Sequence, residues 1–166
     1  MISPAWCRMM AAYNSEMNRR FYAAAATLDE AARQQPRGAF FGSLHGTLCH
    51  LLWADATWMA RLDGGAPPAA SLADSPLLHA DFAPMPAARA ALDARIEAWA
   101  EGLDEAALQS DLTWHSQAAG RSIHRPMALV VTHFFNHQTH HRGQAHALLT
   151  AAGASTGDTD LPLVLA

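Results

Sequence analysis

The chain has 166 residues, of which 51% are hydrophobic and only 16% charged, with a formal net charge of −4 when histidine is counted neutral. That length fits one domain, residues 1–166, with a real core, and no run of Lys or Arg marks nucleic acid as a partner. Two cysteines, Cys7 and Cys49, make no disulfide framework, and no apolar run is long enough to span a bilayer.

Helical spacing dominates the pattern in chain order. A first helix is expected over residues 4–33, with Ser3 as cap and Pro4 at the first position, closed by Pro36 and Gly38. Ser43 opens a second helix that runs to about Leu62, where Gly64 and Gly65 stop it; Leu44, Leu48, Leu51, Leu52, Met59 and Leu62 form its buried stripe. Residues 64–84, "GGAPPAASLADSPLLHADFAP", are too rich in Pro and Gly for a helix and long enough to travel the length of a bundle. A third helix covers about 86–102. "DLTWHS" and "RSIHRP" then flank Gln117–Gly120 as two short strands of a hairpin turned at Gly120. Pro126 suits the first turn of a fourth helix, which continues to about Ala152 before Gly153, and residues 153–166 form an extended tail. The expected fold is therefore all-α: a four-helix bundle with a long crossover between helices two and three and a small β-hairpin before helix four.

The segment "THFFNHQTHHRGQAH" places five histidines within residues 132–146. His137 and His141 are four apart, so they share one helix face, one turn from each other, and can ligate one metal ion. Val130, Phe134, Ala145 and Leu148 lie on that side, which turns the pair towards the core. His133 sits one turn earlier; His140 and His146 are rotated away and are expected to be bystanders. Two ligands make a poor site, and a third has to come from another helix. The second helix offers His45 and His50. Both lie off the leucine stripe, so the helical wheel leaves the choice open; small neighbours Gly46, Thr47 and Ala54 tilt it slightly towards His50. Cys49 reads as a small packed residue.

Three stretches, "MMAAYNSEMN", "SLHGTLCHLLWADATWMARLDG" and "THFFNHQTHHRGQ", together resemble the DinB family of DinB/YfiT-like metalloenzymes over nearly the whole chain. The resemblance implies a metal held by His50, which precedes "LLWAD", and by His137 and His141 of "HQTHHRGQ". It implies a divalent transition metal, zinc or nickel foremost, with iron or manganese as further options. Three histidines leave the shell short of a full tetrahedron, the pattern of catalytic rather than structural zinc. Relatives that use a low-molecular-weight thiol such as bacillithiol or mycothiol make thiol-dependent S-transfer the first functional expectation. Metal-dependent hydrolysis and a non-catalytic metal-binding stress-response role are the alternatives. No general acid or base is legible.

The remaining expectations concern surroundings. Asp55 faces the core and needs a partner: a ligand histidine, Arg142 or another bundle arginine. Tyr13 and Asn14 read as structural, Gly143 as a point of close backbone approach, and Trp53, Trp58, Trp99 and Trp114 as core or interface anchors. His79, His115 and His124 are expected at the surface. With no signal-peptide pattern at the N-terminus, the expected compartment is the cytoplasm. The high apolar content against few surface charges favours a homodimer.

Overall fold

The computed structural model describes residues 2–117 and 119–165; Ala118, within the expected hairpin turn, lies outside them. Among the described residues the chain forms seven α-helices, one 3-10 turn and a two-stranded antiparallel sheet. Four helices are long: α1 (Pro4–Ala26), α3 (Leu44–Asp63), α4 (Met85–Glu101) and α6 (Met127–Ala151). Short ones fill the joints: α2 (Glu30–Gln34), α5 (Glu105–Gln109) and α7 (Leu161–Val164).

Local chemistry accounts for the boundaries. The Ser3 hydroxyl accepts from the Trp6 amide and the Ser43 hydroxyl from the Gly46 amide, each satisfying an orphan donor at a helix start. Gly64, at φ 77°, ends α3 in the left-handed conformation that a side chain disfavours. The first helix departs from expectation. It stops at Ala26, and Asp29 caps a new helix by accepting from the Ala32 amide, so residues 4–33 form two helices rather than one. Asp104 starts the unexpected α5 in the same way. The tail also differs, since α7 adds a helical turn to it. In the hairpin, β1 (Asp111–Ser116) pairs with β2 (Arg121–Pro126) from Asp111 opposite Pro126 to Ser116 opposite Arg121. Pro126 closes β2 and precedes α6 rather than opening the helix from within.

Helix α1 packs on α4 and α6, and α3 packs on the same two helices. Two apolar clusters form the core. One gathers Met17, Phe21, Tyr22, Leu44, Leu48, Met85 and Leu149. The other gathers Cys7, Ala11, Leu52, Met59, Ile96, Val131, Phe134 and Phe135. On α1, α4 and α6 buried polar residues fall in sequence between the two. Arg89 donates to Asp55 of α3 and to Asp93 of its own helix, both at 2.7 Å. Asn18 of α1 donates to Asp93 at 2.9 Å, and Asn14 of α1 donates to Gln138 of α6. Asp55 therefore pairs with an arginine, Arg89, and not with a ligand histidine.

Burial works against the Arg89 charge, but Asp55 and Asp93 outweigh it and hold the guanidinium above its ordinary pKa. Burial raises Asp93 to about 6 in spite of Arg89. Arg142, also buried, is pushed down to about 10 by burial and lies 5.4 Å from the Tyr13 ring. An ion pair of this kind gains little over a well-packed apolar replacement, yet removing one partner strands the other. Replacing Arg89→Met is expected to cost about 3–5 kcal/mol in urea denaturation, and Arg89→Met combined with Asp55→Asn and Asp93→Asn to recover much of that loss.

Candidate metal centre

Helices α3 and α6 bring three imidazoles together. The ring centres of His137 and His141 are 4.4 Å apart, those of His50 and His141 4.7 Å, and those of His50 and His137 5.5 Å. One nitrogen from each ring can be chosen so that all three lie within 4.8 Å of one another. The i,i+4 pair follows from the pitch of α6, whose flanking Val130, Phe134, Ala145 and Leu148 are all buried and fix that face inward. His50 and His141 are buried, and His137 is half-buried.

The hydrogen bonds around the rings assign two of the tautomers. The Ser75 hydroxyl donates to the Leu72 carbonyl at 2.8 Å, so its oxygen accepts from His50 Nδ1–H at 2.9 Å. His50 Nε2 is then a lone pair, buried and without a protein partner. Gln144 Oε1 accepts from His141 Nδ1–H at 2.8 Å, while Gln144 Nε2 donates to His140 Nε2 at 3.2 Å. His141 Nε2 is thereby a lone pair as well. His137 Nδ1 is buried and unpartnered. Neutral imidazoles that can each bring one nitrogen within 4.8 Å of the others fit a divalent transition ion, and the N–H bonds of His50 and His141 are the arrangement that holds metal-binding histidines in place.

Burial disfavours the charged rings. His50 is lowered to about 4, chiefly by desolvation and then by the His141 charge. His137 is lowered to about 3, by desolvation first and then by the neighbouring histidines. His141 and His133 are also lowered, again mainly by burial. The donors consequently stay free of protons at neutral pH, as ligation requires.

The other sequence candidates fall elsewhere. His45 Nε2–H donates to the His79 carbonyl at 2.8 Å, which ties it to the connection after α3 and away from the cluster. Cys49 is buried beside Met85, a packed residue whose thiol pKa burial raises. Tyr13 donates to the Thr159 carbonyl at 2.6 Å and holds the tail. Gly143 is exposed, and a Cβ there would meet nothing within 4 Å, so no backbone approaches it. His146 is half-buried with its ring 5.8 Å from Phe21 rather than turned to solvent. His140 is exposed but steadies Gln144, which makes it more than a bystander. His115 and His124 are exposed, and His124 pairs within the hairpin with Thr113 and Asp111.

Three neighbours of the cluster escaped the sequence reading: Ser75, Gln144 and Phe41. Phe41 stacks on His50 with ring centres 3.7 Å apart and lies 5.3 Å from His141. Its backbone comes so close to α3 that a Cβ at Gly46 would collide with the Phe41 carbonyl oxygen, so glycine is required there. The aromatic pair in "AFFG" before Ser43 was the available signal.

A family model, that of the DinB family, matches residues 1–166, the entire chain. The chain belongs to the DinB family. Searches of curated proteins and of solved structures gave no match. Membership and the histidine cluster together are compatible with a metal-binding protein. No helix among the described residues of this DinB protein is long and apolar enough to cross a membrane.

The lowered histidine pKa values set an acid limb. Below the ordinary histidine pKa of about 6.5 the unfolded chain binds protons that the folded rings refuse, so stability falls as pH falls. Asp93, raised to about 6, opposes this over the same range, because its folded carboxyl keeps a proton that the unfolded chain releases. The histidine contribution is therefore read as a difference: chelator-treated wild type is expected to lose on the order of 1 kcal/mol more than His137→Gln between pH 6.5 and pH 4, discounted because the ring is only partly buried. Urea titrations of the two proteins across that range check it.

Proposed function

We propose that this DinB protein is a metal-dependent enzyme in which His50, His137 and His141 hold one divalent transition ion, zinc or nickel foremost, and that its reaction is thiol-dependent S-transfer. The supporting frame is a four-helix bundle of α1, α3, α4 and α6, each of which packs on two of the others. The observation that carries the reading is the convergence of three neutral rings whose outer nitrogens at His50 and His141 are already engaged by Ser75 and Gln144.

The ion, when bound, would supply Lewis acidity and would acidify a thiol or water that it ligates. The chain's own residues do the rest. Three uncharged ligands leave the ion's positive charge uncompensated, which favours an anionic thiolate over neutral competitors. Ser75 and Gln144 keep the His50 and His141 rings from turning. Phe41 covers the His50 face and keeps water from that side. The Asp55 carboxylate, committed to Arg89, is not a base for this site.

We also infer that the protein acts as a homodimer, a reading supported by large apolar side chains left in solvent, Phe40 at 83% and Leu77 at 79% exposure. A monomer mass by light scattering at micromolar concentration would remove it.

Elemental analysis of purified protein is expected to show about one transition ion per chain. His50→Ala and His137→Ala should lose it, while His45→Ala, which removes only a contact to the connection, should keep it. Metal retained by the first two variants overturns the site. With metal bound, turnover of a model electrophile that requires added thiol supports transfer. Thiol-independent ester cleavage would point instead to hydrolysis, and no turnover at all to a binding role.

A further inference from the structure

Arg142 is a buried arginine that the polar layer leaves unpaired. It follows His141 on α6, about 100° further round the helix, and lies against Tyr13 of α1 rather than in the histidine cluster. The residue is 4% exposed, and its Nη1 and Nη2 are buried without a hydrogen-bond partner among the described residues. Asp55 and Asp93, the buried carboxylates of the bundle, are both held by Arg89. A guanidinium carries five donors and a full charge, and buried charges are ordinarily paired. The Tyr13 ring, its centre 5.4 Å from the guanidinium carbon, supplies attraction but no acceptor.

The same side chain borders a cleft of about 120 Å³ between α1, α6 and the tail. On α6 the wall is Thr139, Arg142 and His146, spaced three and four residues apart and so on one face. On α1 it is Met17 and Phe21, both buried, with Tyr13 beside them. Thr159 of the tail completes it. Tyr13 donates to the Thr159 carbonyl at 2.6 Å and Arg20 to the Asp158 carbonyl at 3.3 Å, which ties the tail across the cleft as a strap. Gly143 also borders this space, and a Cβ there would meet nothing within 4 Å, so the missing side chain helps to keep the cleft open. No acidic residue lines it; Asp158 and Asp160, on either side of Thr159, are exposed.

One water needs roughly 10–15 Å³ of such space, so the cleft has room for a polyatomic ligand. Water would satisfy the donors of Arg142 but leave its charge unbalanced. A carboxylate does both, because its two oxygens match the guanidinium fork. Met17 and Phe21 favour a ligand with a hydrocarbon end over inorganic phosphate, whose further oxygens would be set against carbon.

We propose that the cleft between α1, α6 and the tail is a binding site for a small monocarboxylate, whose oxygens pair with the Arg142 guanidinium while its hydrocarbon end rests on Met17 and Phe21. Entry to the fork, which is closed to solvent, displaces the strap at Thr159. The site is separate from the histidine cluster, goes beyond the metal-binding reading and does not depend on it.

The test titrates full-length, nitrogen-labelled protein with acetate, butyrate and benzoate at constant pH and ionic strength, each against the amide of equal carbon number, and follows the backbone amide resonances. Millimolar binding is expected for the best of the acids, about tenfold tighter than for its amide, with the shifts centred on Gly143 and Thr159. Arg142→Met should abolish the preference for acid. Gly143→Leu, which occupies the cleft from an exposed helix position, should abolish binding of acid and amide alike; it also raises helix propensity, so it decides the matter should Arg142→Met fail to fold. Equal affinities for acid and amide, a preference that survives Arg142→Met, or binding that survives Gly143→Leu would each overturn the site. Shifts confined to residues around His50 and Ser75 would overturn it as well, by placing the acid on the histidine cluster.

Discussion

The rotational setting of α3 against α4 depends on one buried cation held between two carboxylates. Arg89 reaches Asp55 on α3 and Asp93 on its own helix, and Asn18 joins from α1. Apolar packing is non-directional and tolerates small rotations of a helix about its axis; a buried charge with fixed partners does not. Asp55 lies five residues after His50 on α3, so the rotation that satisfies Arg89 also sets the direction in which His50 points. On α6 the Asn14–Gln138 contact does the same for His137, its immediate neighbour in sequence. The convergence of three imidazoles from two helices is thus supported by a polar layer whose side chains make no hydrogen bond to any of the rings.

Around the cluster a second set of contacts settles proton positions. An imidazole offers a lone pair on one nitrogen only when the other carries the proton. Ser75 and Gln144 impose this at His50 and His141, one from the connection after α3 and the other from α6 itself. Burial acts in the same direction by disfavouring the doubly protonated ring. Two independent effects, hydrogen bonding and desolvation, therefore keep the donors ready.

Much of this was legible in the sequence. The long helices and the hairpin follow from periodicity and from punctuation by Ser43, Gly64 and the proline residues, all local signals that tertiary context did not override. The break at residues 27–29 was carried by Asp29, whose capping role competes with continuation of α1, and Asp104 conceals α5 in the same way. Within the cluster the His137–His141 spacing was readable because helix pitch alone relates the two. Pitch did not single out the partner on α3, since His45 and His50 look alike on a wheel, and only the family resemblance pointed to His50. What separates them is that His45 is engaged by the His79 carbonyl, a contact from thirty-four residues away. Ser75, Gln144 and Phe41 were hidden for the same reason: each acquires its role from where a loop or a side chain folds back.

The hydroxyl of Ser75 gives the connection between α3 and α4 an unusual burden. Surface loops ordinarily absorb insertions at little thermodynamic cost. Here a relay from imidazole to hydroxyl to the Leu72 carbonyl makes loop conformation an input to ring basicity. A change in the length of this segment that displaced Ser75 would leave His50 Nδ1 without its acceptor, so the linker is constrained by chemistry where its composition suggests only a spacer.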